Sequence, residues 1–140
     1  MKKYLLILGI VVIVLVLTLS GCQKEATTVE NPFENIFFES DILEITNASY
    51  DASMKNGITQ KVDVTVNFRN KLDKPINNLR LSIDFCDEND NVVHSYPYTY
   101  GTPFPAGYSE ASANRFSYSE ENVIYVDHVN IRITNYEIGD

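Results

Sequence analysis

The sequence predicts an all-β protein, two packed antiparallel sheets of about seven strands, behind an N-terminal signal helix. Two observations carry that expectation. Apolar residues recur with a period of two through most of residues 36–140, and turn signals fall between the runs at short, regular intervals. After the first 21 residues no segment holds a sustained helical stripe. Several half-apolar strands must bury their faces against one another, and two sheets face to face is the economical way to do so.

The chain opens differently. Lys2 and Lys3 are followed by Tyr4 to Leu19, an uncharged apolar stretch interrupted only by Gly9 and Thr18. Such a segment partitions into a bilayer as a helix with its positive end inside. It falls short of the roughly 20 residues that a spanning helix prefers, and the cysteine that follows separates a cleaved signal from an uncleaved anchor. Leu19-Ser20-Gly21-Cys22 resembles the lipobox of a bacterial lipoprotein. That resemblance implies cleavage before Cys22, a diacylglycerol on its sulfur, and display on the extracytoplasmic face of the cell membrane. Two acyl chains give stable anchoring where one does not, since each buried methylene contributes about 0.8 kcal/mol.

Residues 1–21 therefore read as signal peptide, 22–35 as lipidated tether and 36–140 as the folded domain. The mature chain of 119 residues keeps nine basic residues against 19 acidic ones, a formal charge of −10. A surface this negative repels nucleic acid and anionic lipid, which excludes a nucleic-acid role. That length suits one domain with a real core. Once Cys22 is lipidated, Cys86 is the remaining thiol. It closes no intramolecular disulfide, so packing alone must hold the fold, with Cys86 either buried or paired between chains.

Taken in order, Gln23 to Glu34 is polar, contains Pro32 and shows no periodicity. A flexible linker of roughly a dozen residues spans on the order of 20 Å. Ile36-Phe37-Phe38 is too apolar for a tether and docks on the domain or opens its first strand. Ile42 to Met54 is a strand joined across Asn56-Gly57, a dipeptide that accepts the positive φ angles of tight hairpins. Val62, Val64, Val66 and Phe68 alternate with Asp63, Thr65 and Asn67, one face on a core and one in water. After the Pro75 connection, Leu79, Leu81, Ile83 and Phe85 alternate in the same way with Arg80, Ser82 and Asp84. The polar turn Asp87 to Asn91 leads into Val92 to Tyr100, and Pro97 marks that strand as an edge or bulge. Gly101 to Gly107 is a loop, Tyr108 to Tyr118 the next strand, and Val129, Ile131 and Ile133 mark the last, running on to Ile138.

Val62 to Val93, "VDVTVNFRNKLDKPINNLRLSIDFCDENDNVV", followed by a Pro/Gly loop and a closing strand, resembles the small immunoglobulin-like sandwich domains called FxLYD domains, found on bacterial lipoproteins. The resemblance runs from about Lys61 to Ile138. It departs at Cys86, where such domains commonly carry tyrosine, and at Pro105-Ala106-Gly107, where they commonly have Pro-Gly. It implies an immunoglobulin-like fold and a location. It carries no catalytic residues, cofactor or metal ligands with it.

His94, Tyr96, Tyr98 and Tyr100 fall at period two on one face of a strand. Exposed, they form an aromatic strip that stacks on sugar rings or grips a peptide; buried, they are the core side. Both readings stand at this point. The acidic turn Asp87 to Asn91 offers oxygens to calcium but lacks the glycine and distant glutamate of an EF-hand. Asp127-His128, and Cys86 with His94, are the pairs that suggest catalysis. Adjacent residues of a strand point to opposite faces, which separates Asp127 from His128 unless a bulge intervenes. A hairpin turning at Asn89-Asp90 sets His94 opposite Phe85 and Cys86 opposite Val93, with thiol and imidazole on different faces. Asn47-Ala48-Ser49 matches a glycosylation sequon and reads as a surface polar segment. The expectation is a membrane-anchored, non-catalytic binding or accessory module for an envelope protein, peptide or glycan. The alternative is a structural or assembly subunit of an envelope complex, with no ligand strip of its own.

Overall fold

A computed structural model describes residues 33–140. The segments expected as signal peptide, lipobox with Cys22, and tether up to Pro32 lie outside the described residues. Seven strands follow: β1 (Ile36–Phe38), β2 (Leu43–Lys55), β3 (Ile58–Asn70), β4 (Ile76–Cys86), β5 (Val92–Thr99), β6 (Asn114–Tyr118) and β7 (His128–Ile138). A 3-10 helix, Glu121–Tyr125, lies between the last two. They form one sheet in the order β1-β7-β4-β5 and a second in the order β2-β3-β6, packed as an immunoglobulin-like sandwich. Every pairing is antiparallel except β1 with β7, which run parallel through Ile36–Val129, Phe37–Asn130 and Phe38–Ile131.

The alternating residues meet in the core. Val62, Val64, Val66 and Phe68 of β3 face Leu79, Leu81, Ile83 and Phe85 of β4, all at 0–1% exposure, and Val129, Phe116 and Leu43 close around them. Burying side chains of this size contributes about 1.5–3 kcal/mol each, and so fixes the register of both sheets. The β2–β3 hairpin turns at Asn56 (φ 53°) and Gly57 (φ 76°), both left-handed as a two-residue turn of matching twist requires. Phe33 packs against the core and Asn35 accepts the Val129 N–H at 2.9 Å, so the domain takes in the last residues counted with the tether.

Two expectations change. The strand expected from Tyr108 forms only at Asn114. Before that point Glu110 turns its carboxylate inward to take the Phe68 N–H at 2.7 Å, so a side chain replaces the ladder bond. The outward faces of β3 and β4 are also drier than alternation implies. Asp84 is 1% exposed, receiving Ser82 and Ser95 hydroxyls at 2.7 and 2.6 Å and the Arg132 guanidinium at 2.8 and 2.5 Å. Asp63 is 9% exposed under Ser117, Arg115 and Lys61. Burial raises both carboxyls, but the hydrogen bonds and cations outweigh it and hold them below the usual carboxylate range. Cations on β3, β6 and β7 thus lie over these two outward carboxylates.

Candidate functional site: the aromatic rim and the loop cleft

Register decides the orientation of the aromatic stripe. His94, Tyr96 and Tyr98 stand directly opposite Phe85, Ile83 and Leu81 of β4, and opposed residues share a face, so all three rings point toward the second sheet. There β6 receives them. His94 stacks on Tyr118 at 4.5 Å and 10°, while Tyr96 and Tyr98 meet Phe116 edge-on at 5.4 and 5.3 Å. Tyr100, one step beyond β5, leans on Phe104 at 5.1 Å. The stripe is the rim of the core. β5 is a sheet edge and β6 only five residues long, so Tyr96 stays 43% exposed while His94, Tyr98 and Tyr100 are half-buried.

Their hydroxyls are committed as well. Tyr98 donates to Asn114 Oδ1 at 2.8 Å and Tyr100 to Glu110 Oε1 at 2.5 Å. The Asn114 amide returns to both Glu110 oxygens at 3.0 and 2.9 Å. Burial, reinforced by the Glu110 charge, pushes both phenols up, Tyr100 far above the ordinary tyrosine value. Glu110 therefore ties β3, β6 and the end of β5 at a single point.

Beyond this clamp the loop following β5 folds back over the end of the sandwich. Asn70, 1% exposed, holds it: its amide donates to the carbonyls of Lys74, Phe104 and Pro105 at 2.9, 3.1 and 3.0 Å, and its own oxygen takes the Leu72 N–H at 2.9 Å. Glu110 also binds the side chains of Tyr100 and Asn114, ten and four residues away, but the backbone partners of both clamps carry no local sequence signal. Between loop and rim lies an open cleft of about 490 Å³, walled by Tyr100, Phe104 and Tyr108, with Thr102, Ser112 and Asn114 as polar groups. Its size falls within the range of small-ligand sites. Tyr108 presents a 46% exposed ring there, set edge-on to Phe104 at 5.7 Å. Among the described residues no lysine or arginine lines the cleft, and the one carboxylate there, Glu110, is already hydrogen-bonded on both oxygens. A neutral ligand offering a ring face or a planar group fits this chemistry better than an anion.

The pairs that suggest catalysis resolve as follows. Phe85 opposes His94, and a register shift sets Cys86 opposite Val92, leaving thiol and His94 imidazole on different faces. Cys86 is buried, and desolvation raises its thiol pKa, the opposite of an activated nucleophile. The expected separation of Asp127 from His128 is overturned. β7 begins at His128, so Asp127 lies outside the strand and is free to turn, and its Oδ2 sits 3.2 Å from His128 Nδ1. The other ring nitrogen is 3.0 Å from Asp90. Both nitrogens are thus engaged by carboxylates, and neither is left for Cys86. In the acidic turn Asp87 spends its carboxylate on Asn89 and Asn91, whose bonds hold it below the usual carboxylate range. Among the described residues no cluster of histidine, cysteine and carboxylates is arranged to hold a metal ion. Compared with known proteins, the chain matches no family model, no curated protein and no solved structure.

Proposed function

We propose that the protein is a lipid-anchored, extracytoplasmic binding module, tethered through Cys22, that contacts an envelope glycan or peptide at the cleft between Tyr100 and Asn114. The observation that carries the reading is the exposed Tyr108 ring over a concave, cation-free aromatic wall. Rings of this kind stack on sugar or proline faces without needing a charged partner. Of the original stripe, Tyr96 is the ring left available beside it. The anchor rests on Leu19-Ser20-Gly21-Cys22.

The test is chemical-shift mapping on the isotopically labelled protein with neutral envelope oligosaccharides and proline-containing peptides as probes. Shifts confined to residues 100–114, abolished by Tyr108→Ala, establish the site; shifts scattered elsewhere, or untouched by Tyr108→Ala, remove it. For the anchor, Cys22→Ser is expected to release the protein from the membrane fraction, and an intact signal peptide on the mature wild type refutes it. A second reading, a structural subunit of an envelope complex, is favoured by the inward orientation of His94, Tyr96 and Tyr98. It predicts a complex that survives Tyr108→Ala and Tyr96→Ala unchanged.

A further inference from the structure

The β2–β3 hairpin is longer than the sheet that supports it. β6 pairs with β3 over Val62–Val66, and beyond Val62 the two strands run on alone to the Asn56-Gly57 turn. Val62 is fully buried, whereas residues 51–58 are all exposed. At about 3.4 Å per residue the tip stands on the order of 10 Å past the core. Met54 is 66% exposed there and Ile58 53%. Met54 opposes Thr59 and Ile58 opposes Lys55, so the two apolar side chains stand on opposite faces of the ribbon. A flat protein groove covers one face of a ribbon, whereas a fluid apolar layer takes both. From Ala52 to Gln60 the single charge is Lys55, in a chain that is otherwise strongly acidic. A lysine beside apolar side chains lays its stem along them and keeps its ammonium at a polar boundary.

The end of the sandwich from which this tip projects is also the end at which the chain enters. β1, parallel to β7, starts beside Val129, and Phe33 to Asn35 border the same shallow pocket as Ala48 to Tyr50 of β2. From Tyr50, β2 continues outward to Lys55. Ten residues, 23–32, separate Cys22 from Phe33, and a chain of that length reaches about 40 Å at most. The 3-10 helix lies at the same end, since it joins Tyr118, opposite Val62, to the start of β7. It adds Ile124 and Tyr125, 47% and 61% exposed. Apolar side chains exposed together in this way mark a surface that meets another apolar phase.

We propose that the hairpin tip is a membrane-docking element: Met54 and Ile58 enter the extracytoplasmic leaflet of the bilayer that carries the anchor, with Lys55 at the headgroups. This rests on the anchor at Cys22 proposed above. A tethered domain meets that surface at high effective concentration, so two apolar side chains suffice where they would not recruit a free protein. The chain's net negative charge gives no help, and the contact is apolar. Docking in this way turns the cleft outward, because its Phe104 bridges to Ile76 at the start of β4, the opposite end of the sandwich.

The chain contains no tryptophan, so Ile58→Trp supplies a single fluorescent reporter. The mature, acylated protein carrying it is reconstituted in phosphatidylcholine nanodiscs, with and without brominated acyl chains, beside Tyr136→Trp at the far end of β7. Mass spectrometry of the N-terminal peptide reads the acylation of Cys22. Emission from Ile58→Trp is expected to shift to the blue and to be quenched by the brominated lipid, with Tyr136→Trp unaffected. Adding Met54→Ser to the Ile58→Trp chain is expected to lower the ratio of docked to undocked protein about tenfold, the effect of one apolar side chain returned to water. Met54, Ile58 and Tyr136 are all exposed, so the fold does not depend on them. An acylated chain whose Ile58→Trp emission behaves like that of Tyr136→Trp overturns the docking and leaves the anchor standing. An unacylated Cys22 removes the anchor and the docking with it. A blue shift without bromine quenching, as a second copy or another protein would give, also overturns the proposal.

Discussion

Replacing Glu110 by alanine tests whether one loop side chain holds the two sheets and the cleft together. The substitution removes the acceptor for the Phe68 N–H at 2.7 Å, the Tyr100 hydroxyl at 2.5 Å and the Asn114 amide at 2.9–3.0 Å. Tyr100 and Asn114 line an open cleft, so water can reach them and each loses only the net value of a bond, about 0.5–1.5 kcal/mol. Phe68 is fully buried, and its N–H pays more of the desolvation penalty, about 1–3 kcal/mol. These terms are not additive in full, which places the loss at about 2–4 kcal/mol, or a fall in Tm of about 8–16 °C for a domain of this size. Thermal unfolding followed by circular dichroism measures it. Glu110→Gln, which keeps one acceptor oxygen, is expected to fall between wild type and alanine. A loss under about 0.5 kcal/mol for Glu110→Ala would refute the clamp, because leaving three donors, one of them a buried N–H, without their acceptor is not that cheap.

Three further outcomes follow from the same contacts. The folded-state pKa values of Asp63 and Asp84 are depressed, so their stabilisation is complete above the unfolded carboxylate value of about 3.9 and is lost as pH falls through the lower folded values; urea midpoints should drop on acidification below about pH 4, and less steeply in Asp84→Asn. Asn70→Ala strips four hydrogen bonds from a 1% exposed site and should cost about 2–4 kcal/mol by denaturant unfolding, with loop residues 101–107 losing amide protection first. Cys86, buried and with a raised thiol pKa, should resist alkylation in the native protein and react only on unfolding, which mass spectrometry of the Cys86 peptide reads directly.

Strand positions are legible in the sequence because alternation is a local signal: Val62 to Phe68 and Leu79 to Phe85 announce their inner faces by themselves. The acidic pairing partners are not legible, since Arg132 reaches Asp84 across two strands and 48 residues. The aromatic stripe lies between these cases. Period two places His94, Tyr96 and Tyr98 on one face without saying which, yet the expected pairing of Phe85 with His94 already contains the answer, because opposed residues share a face and Phe85 is core. The clamps at Glu110 and Asn70 leave no trace, as each is a single polar residue, one in a loop and one at the end of β3. The five-residue 3-10 helix is too short to write a helical period, and Val123 alone buries from it.

The parallel seam between β1 and β7 gives the domain a mechanical direction. β1 begins beside Asn35, and β7, paired with it over Val129–Ile131, continues past it to Ile138. Tension applied between Phe33 and Asp140 therefore draws the two strands past each other along their length. All the seam's bonds, with Ile36 and Val129 fully buried behind them, share that load at once. A hairpin pulled open from its tail yields one rung at a time. A protein tugged between its two ends in this way resists as a lap joint resists, and it gives way in a single step.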